Sequence, residues 1–69
     1  MFKYVVRIHP MESGRPKLSE FKFDKEFEHA YEAQAYINRF NEKAVNAEGK
    51  PVATAVYRGK FNSVTGKLV

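Results

Sequence analysis

Between Phe27 and Ala47 the apolar residues recur in steps of three and four. Ala30, Ala33, Ile37, Phe40 and Ala44 share one stripe of a 3.6-residue repeat, and Phe27 extends it by a turn at its start. Glu28, Glu32, Arg39, Glu42 and Lys43 fall off the stripe, so the segment reads as a helix with one buried side. Acidic residues crowd its beginning and Arg39 and Lys43 stand near its end, the order that the helix macrodipole favours. Gly49 and Pro51 supply the stop. Asp24 is the one good capping side chain near the start, with no Glu or Gln three residues after it. At 1.5 Å per residue such a helix is about 30 Å long, enough to cross a small sheet from corner to corner.

The flanks have strand character. From Phe2 to His9 the pattern alternates, with Phe2, Tyr4, Val6 and Ile8 on one side and Lys3, Val5, Arg7 and His9 on the other. Pro10 to Pro16 punctuates the chain and predicts a turn with Gly14 at positive φ. Alternation resumes over Lys17 to Asp24, which places Phe21 and Phe23 against the helix and makes this the second strand of a hairpin. Pro51 to Phe61 has the composition of a third strand, in which Ala53, Ala55 and Tyr57 compete with Val52, Thr54 and Val56 for the helix side; the first set is preferred, because small alanines there let the helix approach closely. Asn62 to Val69, with Thr65-Gly66, is either a short fourth strand or a frayed end.

These elements predict one α+β domain over residues 1–69. A three- to four-stranded antiparallel sheet in the order 2-1-3 carries one long helix on one face, ββαβ with the tail as an optional fourth strand. Many unrelated small domains share this layout, so function has to be argued from the surface.

A chain of 69 residues buries only about 60% of the surface it exposes when unfolded, and its stability margin is correspondingly small. A 43% hydrophobic and 14% aromatic content is nevertheless that of a folded protein. Cysteine is absent, which excludes disulfides and thiolate metal sites. The amino-terminal residues interleave charge with apolar side chains and read as neither a signal peptide nor a spanning helix. The expectation is a soluble, cytoplasmic protein without a membrane partner.

Charge is distributed unevenly around a net +4. Residues 1–23 carry +3, residues 24–48 carry −3 and residues 49–69 carry +4. With the acidic block taken as the helix, the molecule is expected to have an acidic helical side and a basic outer sheet face. Lys3, Arg7, Lys22, Arg58 and Lys60 are the candidate nucleic-acid-binding residues on that face. Open sheets of this kind attract phosphates, and their aromatic residues stack on bases. Three features count against it: charge also keeps a small domain soluble, Glu20 and Asp24 dilute the patch, and Phe2, Tyr4, Phe21 and Phe23 are all assigned to the core.

Nothing in the sequence points to catalysis. His9 and His29 lie far apart, Ser13, Ser19 and Ser63 lack a neighbouring base, and Glu28 with Glu32 suits the start of a helix. Gly59-Lys60 to Gly66-Lys67 has the wrong spacing for a phosphate loop. No cofactor, metal or catalytic residue is expected. The reading is a non-catalytic binding module for nucleic acid. Its alternative is a protein-binding inhibitor or adaptor, such as a phage or mobile element uses against a host enzyme, docking by an edge strand or by the acidic helix face. The same edge would allow a homodimer in place of a monomer.

Overall fold

The computed structural model describes residues 2–69. Its centre is β1 (Phe2–Glu12), an 11-residue strand of about 36 Å that runs nearly the length of the 42 Å molecule. A hairpin through Ser13 and Gly14, both at positive φ, returns the chain into β2 (Arg15–Pro16). That pair of torsions belongs to the two-residue turns whose twist matches a hairpin. β3 (Phe23–Phe27) then pairs antiparallel with β1 from Tyr4↔Phe27 to Ile8↔Phe23. After α1 (Ala30–Lys43), β4 (Ala53–Asn62) pairs antiparallel with the opposite edge of β1. β3, β1 and β4 therefore stand in the predicted order of second, first and third strand, and the fold is α+β as expected.

The core is small and lies between β1, β4 and the helix. Val6 and Ile8 are fully buried, and Ala33, Ala53 and Ala55 close around them. Tyr4, Phe27, Tyr36, Ile37, Phe40 and Ala44 pack against this centre. Ala53 and Ala55 face the helix as anticipated, and the lack of bulk there brings the helix near the strand. Tyr36 completes the helical stripe between Ala33 and Phe40, whereas Ala30 is exposed. Phe27 contributes from β3 instead of from the helix and lies 5.3 Å from the Tyr36 ring.

Three expectations are corrected. The helix is 14 residues and about 21 Å long, not the span from Phe27 to Ala47. It begins after an extended His29 whose side chain makes no cap, and the carbonyl of His29 accepts from Glu32 and Ala33 N–H. Its end is set at Ala44, because Val45 turns to bridge Pro51; Gly49 belongs to the intervening turn, where the Asn46 side chain accepts from the Glu48 and Lys50 amides.

The second strand is displaced from Lys17–Asp24. Lys17 N–H still bonds the Pro10 carbonyl, then the chain leaves the ladder and returns only when Lys22 N–H reaches the Ile8 carbonyl. Lys17 pins the excursion through Glu12 at 3.5 Å and Glu20 at 3.4 Å. Buried His9 pins it from below, its Nδ1 lying 2.7 Å from the Glu20 carbonyl, to which the Nδ1–H tautomer donates. Phe21 is consequently thrown out to the far side of the sheet, while Phe23, opposite Ile8, stays on the helix side but is exposed and lies outside the core expected to hold it.

Register also slips within β4. Val6 pairs with Tyr57 but Val5 pairs with Gly59, leaving Arg58 as the extra residue of a bulge. A one-residue slip exchanges the two faces of everything beyond it. Lys60 therefore opposes Tyr4 on the helix side, and Phe61 opposes Lys3 on the outer side. The tail is neither frayed nor a full strand. Asn62 caps a turn through the Val64 and Thr65 amides, and Val69 N–H bonds the Lys60 carbonyl beside the Phe61↔Leu68 bridge.

Candidate nucleic-acid interface

The sheet face away from the helix is uncovered. On β1 it presents Lys3, Val5 and Arg7; on β3, Asp24 and Glu26; on β4, Arg58 and Phe61. An open depression of about 310 Å³ lies across these strands, lined by Lys3, Val5, Asp24, Glu26, Arg58 and Phe61, with Ser63 and Gly66 of the tail turn at one wall. Pairing places Glu26, Val5 and Gly59 in one row across the sheet, and Glu26 and Gly59 stand about 10 Å apart on the outer strands. Gly59 contributes no side chain to that row, and Leu68 of the tail packs where its Cβ would stand.

Arg7 is held tightly. Its Nε and Nη2 donate to the two carboxylate oxygens of Asp24 at 2.6 and 2.8 Å, and its guanidinium lies 3.8 Å from the Phe21 ring centroid. The paired, planar contact and the ring stack are arrangements that suit guanidinium better than ammonium. Hydrogen bonding to Arg7 holds the Asp24 carboxyl below its usual 3.8, with desolvation opposing and the charges of Arg7, Arg58 and His9 assisting. The same hydrogen bond raises Arg7 above its ordinary value.

The other candidates divide. Lys3 makes one contact of 3.3 Å with the well-exposed Glu28. Arg58 lies 5.5 Å from the Phe61 ring centroid and has no ion-pair partner among the described residues. Lys22 sits in the bend before β3, outside the paired strands. Lys60 is removed from the group: the bulge carries it to the helix side, where its Nζ lies 4.2 Å from the Phe2 ring centroid. The structure thus brings Lys3, Arg7 and Arg58 onto one face and places Lys60 on the other.

Sidedness of charge is weaker than anticipated. The acidic block is not the helix alone, because Asp24 and Glu26 belong to β3 and face outward with the cations. The helix itself carries Glu32 and Glu42 against Arg39 and Lys43, and is electrically balanced. Lys25 joins Lys60 on the helix side, its Nζ lying 5.0 Å from the Tyr36 ring centroid. The outer face compensates by gaining two rings absent from the expectation. Phe21 arrives through the excursion and Phe61 through the bulge, each beside an arginine. An isolated glycine inside a strand pattern, Gly59, was the available signal for the second.

Both lateral edges of the sheet matter for the alternative partner. Along β4, Asn41 accepts from the Ala55 N–H at 2.7 Å and donates to the Ala55 carbonyl at 3.4 Å, and the tail occupies Lys60 and Asn62. β3 has no neighbour on its far side among the described residues. Among the described residues no helix is long and apolar enough to cross a membrane. Neither a family model, nor a curated protein, nor a solved structure matches the chain.

Proposed function

We propose that this protein is a non-catalytic binding module for single-stranded nucleic acid, and that the outer face of its sheet is the binding surface. The observation that carries the reading is the pairing of aromatic rings with cations on an uncovered sheet: Phe61 with Arg58 and Lys3, and Phe21 with Arg7. Rings on a sheet stack on bases, and cations along the same strands neutralise phosphates. Lys3 and Arg58 are the freer cations, while Arg7 must exchange Asp24 for a phosphate. Lys3 and Arg7 are four residues apart on β1, so the two ring positions stand roughly 13 Å apart along the strand. A flexible strand can follow that path, whereas a stacked duplex hides its base faces.

Binding measured by fluorescence anisotropy with a labelled mixed-sequence oligonucleotide tests this reading. Three phosphates neutralised by Lys3, Arg7 and Arg58 give a slope of log K against log salt near −2, at about −0.7 per phosphate. Charge reversal at Lys3 and Arg58 together should abolish binding without unfolding the protein. No anisotropy change at low salt would overturn the proposal.

The free edge of β3 favours a second reading, a protein-binding inhibitor or adaptor that accepts an extended segment as an added strand. Asp24 and Glu26 on that strand would select a basic segment. In a lysate cleared of nucleic acid by nuclease, retention of a protein partner that is lost on placing proline at Glu26 would support it over the first.

A further inference from the structure

We infer that the outer-face depression is a pocket for a single nucleobase bearing an exocyclic amino group, with Glu26 as its acceptor. The inference rests on the nucleic-acid reading above and assigns its base preference. Three observations combine. The floor and one wall are apolar, formed by buried Val5 and the Phe61 ring, which suits the flat face of a base. The two sides of the depression differ in sign: Arg58 stands on the β4 side and Lys3 on β1, whereas Glu26 and Asp24 stand on the β3 side. Finally, these four charged groups are not equally engaged. Asp24 is bonded by Arg7 through both oxygens and Lys3 contacts Glu28, but Glu26 has no hydrogen-bond or ion-pair partner among the described residues.

A phosphate would be repelled by Glu26 and attracted by Arg58, while the Lys3 ammonium is held by Glu28 at the end of β3. The backbone of a bound strand is therefore steered to the β4 side, and its base points across Val5 towards β3. There the free carboxylate can only accept, so it is satisfied by an amino group, as when Glu or Asp accepts from cytosine N4. A base that offers a carbonyl oxygen at the same place sets two acceptors against each other. The roughly 10 Å between β3 and β4 spans a base with its contacts on either side. Uracil and cytosine have nearly the same shape, and the carboxylate is what tells them apart.

The experiment compares oligodeoxycytidine with oligodeoxyuridine of equal length by anisotropy, for the wild-type protein and for Glu26→Gln. The amide of Gln both donates and accepts and keeps the side-chain size. The expected result is at least about fivefold tighter binding of the cytidine oligomer by the wild type, and a ratio near one for E26Q. Equal, salt-sensitive binding of both oligomers by the wild type would overturn the pocket while leaving the nucleic-acid reading in place. A cytidine preference that survives in E26Q would overturn the role of Glu26. Absence of binding to either oligomer at low salt would overturn the pocket and the reading together.

Discussion

Asp24 and Arg7 face each other across β1 and β3 and are bonded through both carboxylate oxygens. The pair has two consequences of opposite kind. It stitches the edge strand to the central one, and it keeps the guanidinium turned away from any incoming phosphate. Because the folded carboxyl ionises below its ordinary 3.8, the contribution to stability is fully present above that value and is lost as pH falls through the lower folded value. Asp24→Asn should therefore lower the Tm at neutral pH, with the gap from wild type closing in acid below 3.8. The same substitution removes a negative charge from the outer sheet face and frees Arg7, so on the proposed function oligonucleotide affinity should rise by a few-fold while stability falls. Thermal melts across pH, with anisotropy on the same variant, check both; a Tm gap that widens in acid, or weaker binding, would contradict the assignment.

Elements show where local pattern prevails and where pairing overrides it. Alternation over Phe2–His9 and the spacing of Ala33, Ile37, Phe40 and Ala44 were legible because each side chain has one buried face to satisfy. The positions of Phe21 and Phe61 were not. The alternation of Lys17–Asp24 runs on through an excursion that is held by the His9–Glu20 bond and by the contacts of Lys17 with Glu12 and Glu20, none of which the alternating pattern reveals. In β4 the slip at Arg58 exchanges Lys60 for Phe61, so the face lost a predicted cation and acquired a ring. Gly59 makes the slip tolerable, since its φ of +135° is one that side chains rarely adopt. Gly59→Ala should cost about 1–3 kcal/mol through the backbone alone, or about 4–8 °C of Tm per kcal/mol in a domain of this size. The added Cβ would also meet Leu68 Cδ1 at 2.6 Å, the far end of a side chain that can move. Adding Leu68→Ala should therefore leave most of the loss in place, and complete recovery would locate the cost in that contact instead.

At the scale of the molecule, the radius of gyration of 12.9 Å exceeds the roughly 11 Å of a compact chain of this length. The excess reflects the β1–β2 arm reaching beyond the helix, and it leaves a thin two-layer body with one sheet face open. At roughly 0.05–0.15 kcal/mol per residue the whole chain has about 3–10 kcal/mol of stability. An exposed face with stacked arginines is thus kept by a very small core. Of the candidate surface, Lys3, Arg7 and Arg58 were legible as outward cations from alternation. Asp24 was legible there too, as an outward acid of the second strand that dilutes the patch; Glu26 was not, because it read as the start of the helix and lies on the edge strand. The uncovered sheet, and not the helix, is the face proposed to meet the ligand. Backbone amide chemical shifts followed by NMR during titration with oligodeoxycytidine test it most directly. The predicted result is a set of shifts confined to Lys3, Val5, Arg7, Glu26, Arg58 and Phe61 with the helix from Ala30 to Lys43 unmoved; shifts centred on the helix, or none at low salt, would contradict it.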